Sequence, residues 1–273
     1  MDVSNGLKWA ARGGYAARGV VYMVVGFFAI LAAVGSGSTE DTRGALQKLL
    51  EQPFGSLLLA VVGLGLLAFA GWRFIQAFGD PDDHGSNGKG IMIRFSMLAS
   101  GLIHIGLAVF AAGLVFSLGL SGGGSGGGGG GGDPTSGWLS WLFGHAWGRY
   151  VALALTLVPV GIGFAHIRKG WKAGFEKYLR PDFNKLGLVK PICSFGLIAR
   201  GVIFMVIGLL AFYGGGIYDA GDAPGLKDAL AWIQGWPFGW VALLAIAFGL
   251  VAFAFYAFVE AMYRRIGIEA AGL

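Results

Sequence analysis

Six stretches of this sequence are apolar for about the thickness of a bilayer: Ala16–Val34, Phe54–Phe78, Phe95–Leu120, Trp147–Ile167, Pro191–Gly215 and Pro237–Tyr263. A bilayer core takes roughly 20 mostly apolar residues per helix. Several of the six are apolar all the way round rather than striped. A chain of 273 residues has no room for six wholly buried helices in water. The pattern therefore predicts an all-α integral membrane protein with six transmembrane helices. Three shorter amphipathic stretches punctuate it, at Gly44–Glu51, Gly137–Gly144 and Gly225–Gln234. In the first, Ala45, Leu46, Leu49 and Leu50 share one helical face, which suits a helix lying flat on the outer membrane surface. Trp138, Trp141, Trp147, Trp232, Trp236 and Trp240 fall at the same depth, where an amphipathic ring suits an interfacial belt better than a ligand cage. The first apolar run has the basic start of a signal peptide, but it is too long and no clean cleavage site follows, so a retained helix is expected.

The pattern repeats. Ala17–Gly26 returns as Ala199–Gly208 with only Val/Ile and Tyr/Phe exchanges, and Pro53-Phe54-Gly55 returns as Pro237-Phe238-Gly239. Ala45-Leu46 and Leu49 correspond to Ala229-Leu230 and Ile233. A worn middle copy has Ala99–His104 where Ala17–Tyr22 stands, and Gly148 in the place of Gly55. Three two-helix units follow: residues 1–80, residues 91–180 with a glycine-rich outer loop at 119–137, and residues 190–273. Each copy has an even number of helices, so all three enter from the same side. The copies are parallel, and a pseudo-threefold bundle is expected rather than the inverted repeats of many transporters. Small-residue pairs such as Gly161/Ala165, Ala245/Gly249 and Ala257/Ala261 suit close helix packing. Ser121–Gly132 holds ten glycines and two serines. Such a tract reads as a mobile tether, and no P-loop lysine follows it.

Charge sets the orientation. Of the 20 lysines and arginines, 16 fall on the side that holds both termini and 4 on the other. That bias places both termini on the cytoplasmic side of the membrane. Seven of these charges lie in the loop 168–190, which fixes topology and could also bind acidic lipid head groups. The net charge of +5 thus carries no implication of nucleic acid. The single cysteine, Cys193, allows neither an internal disulfide nor a thiolate metal site.

The Ala-Arg-Gly-Val-Val-Tyr opening, its recurrence at Ala199–Gly208 and the Pro-Phe-Gly start of the return helix resemble a bacterial membrane-protein family catalogued as Domain of Unknown Function 1206. The resemblance covers nearly the whole chain. It implies six spans in three two-helix repeats and brings no established activity with it. The middle copy departs from the motif, with Ser100 in place of the arginine.

Ionisable groups inside a membrane are costly and are the default functional candidates. They are Arg18, Arg73, Arg200, Glu260, His104 and His166, with Ser100. Ser96, Ser100 and His104 are spaced four apart and share a helix face. One reading is a polar cavity open to the cytoplasm, with His104 at its base and the two arginines at its mouth. The other, which is preferred, has the arginines reaching to head groups and His104 hydrogen-bonded within the bundle. A bis-histidine haem between His104 and His166 is conceivable on little support; otherwise no cofactor and no metal is expected. Asp80, Asp82 and Asp83 lack EF-hand spacing and read as a solvated turn. No catalytic constellation is present. The leading function class is a non-catalytic membrane component, whether subunit, scaffold or lipid-interacting protein, with a membrane-protein partner or an oligomer possible. A small-solute transporter or channel and a haem-binding redox protein are the alternatives.

Overall fold

The computed structural model describes residues 3–120, 148–180, 187–214 and 226–267. The regular elements among the described residues are helices: α1 (Val3–Ala33), α2 (Thr42–Leu50), α3 (Gly55–Gly79), α4 (Gly88–Leu120), α5 (Gly148–Trp171), a 3-10 turn (Glu176–Tyr178), α6 (Val189–Gly214), α7 (Leu226–Gln234) and α8 (Gly239–Tyr263). Five of these, α1, α3, α4, α6 and α8, contain segments long and apolar enough to cross a membrane. α5 occupies the fourth predicted stretch without being one of the five. The glycine tract Ser121–Gly132, the amphipathic stretch Gly137–Gly144 with Trp138 and Trp141, and also Trp147 lie outside the described residues.

Apolar side chains cover the outside of the bundle as well as its core. Leu57, Val61 and Leu64 of α3 and Phe95, Val109 and Phe116 of α4 are exposed. A helix apolar on both faces has a place in lipid, not in water. α1 starts at Val3, well before the apolar run at Ala16, because its lead-in is itself packed. Ala11 and Tyr15 are buried with Phe69, Trp72 and Ile266, and the Trp72 indole N–H donates to the Tyr15 hydroxyl at 3.0 Å.

The apolar faces of the short helices pack on the bundle itself. Asp41 caps α2 by accepting the Gly44 N–H at 2.7 Å. Ala45 and Leu46 are then turned into the core with Ala229, Leu230 and Ile233 of α7. Both helices therefore close one end of the bundle. Each leads into the same strained turn. Phe54 and Phe238 take left-handed backbone, φ 60° and 59°, which is unfavourable for a bulky residue. The glycines after them are required, since a Cβ at Gly55 would overlap the Leu50 carbonyl and one at Gly239 the Ile233 carbonyl.

The long helices neighbour one another in the order α5, α6, α8, α1, α3, α4. Glycine makes the closest approaches. Gly19 of α1 lies under the Phe258 ring of α8, Gly101 of α4 under Phe74 of α3, and Gly201 of α6 against Gly163 and Ile167 of α5. α1 closes on α3 where Gly14 meets the Phe69 backbone and Gly65 receives Ala17. α6 closes on α8 where Gly196 meets the Phe253 backbone and Gly249 receives Ala199. In the register of the repeats, the middle copy has Ser96 and Val158 at these two glycine positions. Among the described residues α4 and α5 meet at most marginally, and Ser96 and Val158 are both exposed. Among the described residues the ring of helices is open along that seam.

Candidate functional site

Near the end of the bundle where α3, α5 and α8 finish, polar side chains come together from several helices. Glu260, in the last turn of α8, is 2% exposed, and Arg264 just beyond the helix is 4% exposed. The chain after α8 is zipped to the segment before α6. The Arg180 N–H donates to the Tyr263 carbonyl and the Arg265 N–H to the Tyr178 carbonyl, both at 2.9 Å. This holds Arg264 inward. Its Nη1 donates to Glu260 Oε1 at 2.8 Å, and its Nη2 donates to Asp82 Oδ2 at 2.9 Å. Asp82 also accepts from Gln76 Nε2 at 2.6 Å, and Gln76 Oε1 accepts from Arg73 Nη1 at 2.8 Å. Asp82 is aimed by the turn around Asp80, whose carboxylate accepts the backbone N–H groups of His84 and Gly85 at 2.8 and 2.7 Å. Burial pushes the Asp80 carboxyl upward, but these two donors outweigh it and hold it below the ordinary carboxylate range. The acidic run is thus a capped turn at Asp80 and an ion-pair partner at Asp82.

Arg18 is buried, not extended to the head groups. Its Nη1 lies 3.7 Å from Glu260 Oε2, and its guanidinium stands 4.7 Å from the centroid of Phe253 and 5.4 Å from that of Phe69. Arg200 sits in an aromatic box, 4.4 Å from Phe253, 4.5 Å from Tyr22 and 5.0 Å from Phe204. Its Nε and Nη1 are buried without a hydrogen-bond partner. Arg73 lies over Phe69 at 4.7 Å. Lys169, at the end of α5, donates to the Tyr256 hydroxyl at 3.0 Å. Among the described residues, Arg18, Arg73, Lys169, Arg200 and Arg264 thus face only two carboxylates, Asp82 and Glu260.

The histidines stay on their own helices. His104 Nδ1 donates to the Ser100 carbonyl at 2.7 Å, and His166 Nδ1 donates to the Ile162 carbonyl at 2.9 Å. Each carbonyl requires a donor, so both rings carry the proton on Nδ1. The His104 ring leans on Phe69 of α3 and the His166 ring on Phe204 of α6. Ser100 enters the cluster only through its carbonyl.

The cluster thus gathers Arg18, Arg73, Arg200 and Glu260, and adds Gln76, Asp82, Lys169 and Arg264, which the sequence reading did not single out as site residues. One signal could have found two of them. Gln76, Lys169 and Glu260 are each 21 residues beyond the glycine that opens the return helix, Gly55, Gly148 and Gly239. No comparable pattern marks Asp82 and Arg264, which depend on how the loops fold back.

The family described as Domain of Unknown Function (DUF1206) matches this chain in two separate regions, residues 13–80 and 195–264, together half of its length. An uncharacterized protein of Bacillus subtilis (strain 168), YxxB, is 29% identical over 268 residues, covering 96% of this chain and 93% of that protein. No solved structure matches.

Proposed function

Because the chain belongs to the DUF1206 family, whose description assigns no activity, we propose from its own geometry that it is a non-catalytic component of the cytoplasmic membrane. It acts by binding lipid or another membrane protein rather than by turning over a substrate. The observation that carries this reading is the engagement of the cluster's carboxylates. Glu260 and Asp82 are both bonded to Arg264, which ties α8 to the turn after α3. Buried ion pairs of this kind fix an arrangement more than they add stability.

The architecture we propose with it is six spans in three parallel two-helix copies about a pseudo-threefold axis, with both termini cytoplasmic. Two observations support it. The family match falls on the first and third copies separately. The glycines Gly19, Gly101 and Gly201, at one register of the three entering helices, meet Phe258, Phe74 and Ile167, at one register of the return helices. Among the described residues, the acidic-lipid reading of the loop 168–190 narrows to Arg168, Lys172, Lys177 and Arg180. Lys169 is turned inward onto Tyr256, Lys190 pairs with Glu176 at 2.7 Å, and Lys185 lies outside the described residues.

Purification from the native membrane, with lipid and protein composition measured on the same sample, tests the reading. A stoichiometric lipid or protein partner, reduced by Arg18→Ala or Arg200→Ala without loss of insertion, is expected. A tightly bound chromophore, or turnover of a small molecule, contradicts it.

A further inference from the structure

Arg200 is the least satisfied cation of the cluster among the described residues, since Arg73 and Arg264 each leave one buried nitrogen without a partner and Arg200 leaves two. Arg264 has two carboxylates and Arg18 shares one of them, whereas two nitrogens of Arg200 are buried with no acceptor. Cation–π contacts offset part of the cost of burying a guanidinium, but unfilled N–H donors in an apolar setting remain expensive. Arg18 makes the imbalance worse, because both guanidinium groups stand within 5 Å of the same Phe253 ring centroid. Access comes from the side. α4 and α5 flank the seam, and each carries a histidine against the phenylalanines that bracket the arginines, Phe69 and Phe204. The faces these helices leave exposed are apolar, with Leu102 and Ile103 on α4 and Val158 and Phe164 on α5. Glu260, the partner of Arg18, lies in the last turn of α8, so the cluster is at the depth where head groups meet acyl chains. An anion that reaches this depth between two apolar faces is one that carries its own apolar tail.

We propose that Arg200 and Arg18 bind the phosphate of an acidic phospholipid, which enters through the open seam between α4 and α5. The site rests on the lipid-binding branch of the function proposed above and names its ligand. Middle-copy divergence is what creates it, since Ser96 and Val158 replace the two glycines that close the other copies.

The test uses the full chain in detergent, with thermal unfolding and native mass spectrometry in the presence of phosphatidylglycerol, phosphatidylcholine or inorganic phosphate. Phosphatidylglycerol is expected to raise Tm and to remain bound, while the other two do neither. Arg200→Gln should weaken phosphatidylglycerol binding about tenfold or more, the worth of a lost charge-assisted hydrogen bond. The double variant Ser96→Gly/Val158→Gly, which restores the closing glycines and keeps both arginines, should weaken it as well. It keeps the proposal testable if Arg200→Gln does not fold. Equal binding of the two lipids, or a phosphatidylglycerol preference that survives either variant, overturns the proposal. Stabilisation by inorganic phosphate that the seam variant leaves intact means free phosphate is the ligand, and overturns delivery from the bilayer. A folded wild type without lipid preference removes this site alone, whereas a chain that does not insert removes the membrane reading beneath it.

Discussion

Glu260 is buried and Arg200 half-buried, both on helices apolar enough to span a membrane, yet their removal should have opposite consequences. Glu260→Ala leaves Arg264 with one carboxylate and Arg18 with none. Stranding buried charge in this way costs about 3–5 kcal/mol, and a large fall in the detergent unfolding temperature is expected, with helix content retained below it. Arg200→Gln strands no carboxylate, so its unfolding temperature in neutral detergent should match the wild type; a loss as large as that of Glu260→Ala would show that Arg200 holds a partner. At this scale the sequence was partly legible. Arg18, Arg73, Arg200 and Glu260 are identifiable because charge inside an apolar run is rare. Asp82 and Arg264 sit in loops, where charge is ordinary, and only the pairing of Arg180 and Arg265 with Tyr263 and Tyr178 brings Arg264 inward.

Element boundaries and contacts follow from side-chain size more than from apolarity. Hydropathy locates the long helices but misses the lead-in of α1, whose buried residues include Ala11 and Tyr15 among charged and exposed neighbours. It also leaves open what the apolar face of α2 covers, and the small Ala45 lets that face settle into the end of the bundle. Glycine spacing was legible as packing, though not which glycines close which pair. A Cβ at Gly196 would overlap the Phe253 backbone, which no rotamer change relieves, whereas at Gly71 it would meet open space. Gly196→Ala should therefore destabilise by about 1–3 kcal/mol or more, and Gly71→Ala should stabilise by about 0.5–1 kcal/mol through helix propensity. Thermal unfolding of the two variants beside the wild type checks both signs.

The whole molecule, in the three-copy arrangement proposed for it, is repetition with one departure. Two copies close on themselves through paired glycines, and the third stays open through Ser96 and Val158. The recurrence of Ala17–Gly26 at Ala199–Gly208 made the repeat legible; the seam was not, because a serine and a valine in apolar helices are unremarkable until the register of the copies is known. Replacing Ser121–Gly132 with a short polar turn should leave expression and unfolding temperature unchanged, since a glycine tract gains too little contact to offset its ordering entropy. A marked loss of stability would show that the tract packs against something.

Six spans with both termini in the cytoplasm is the claim on which the copies, the seam and the site all depend. Reporter fusions along the chain test it most directly. Fusions at Gly85 and Gly187 should report the cytoplasm, and those at Gly37, Gly126 and Gly221 the outside. A cytoplasmic reading at Gly126 would mean that α4 and α5 do not both cross the membrane, and would contradict the account.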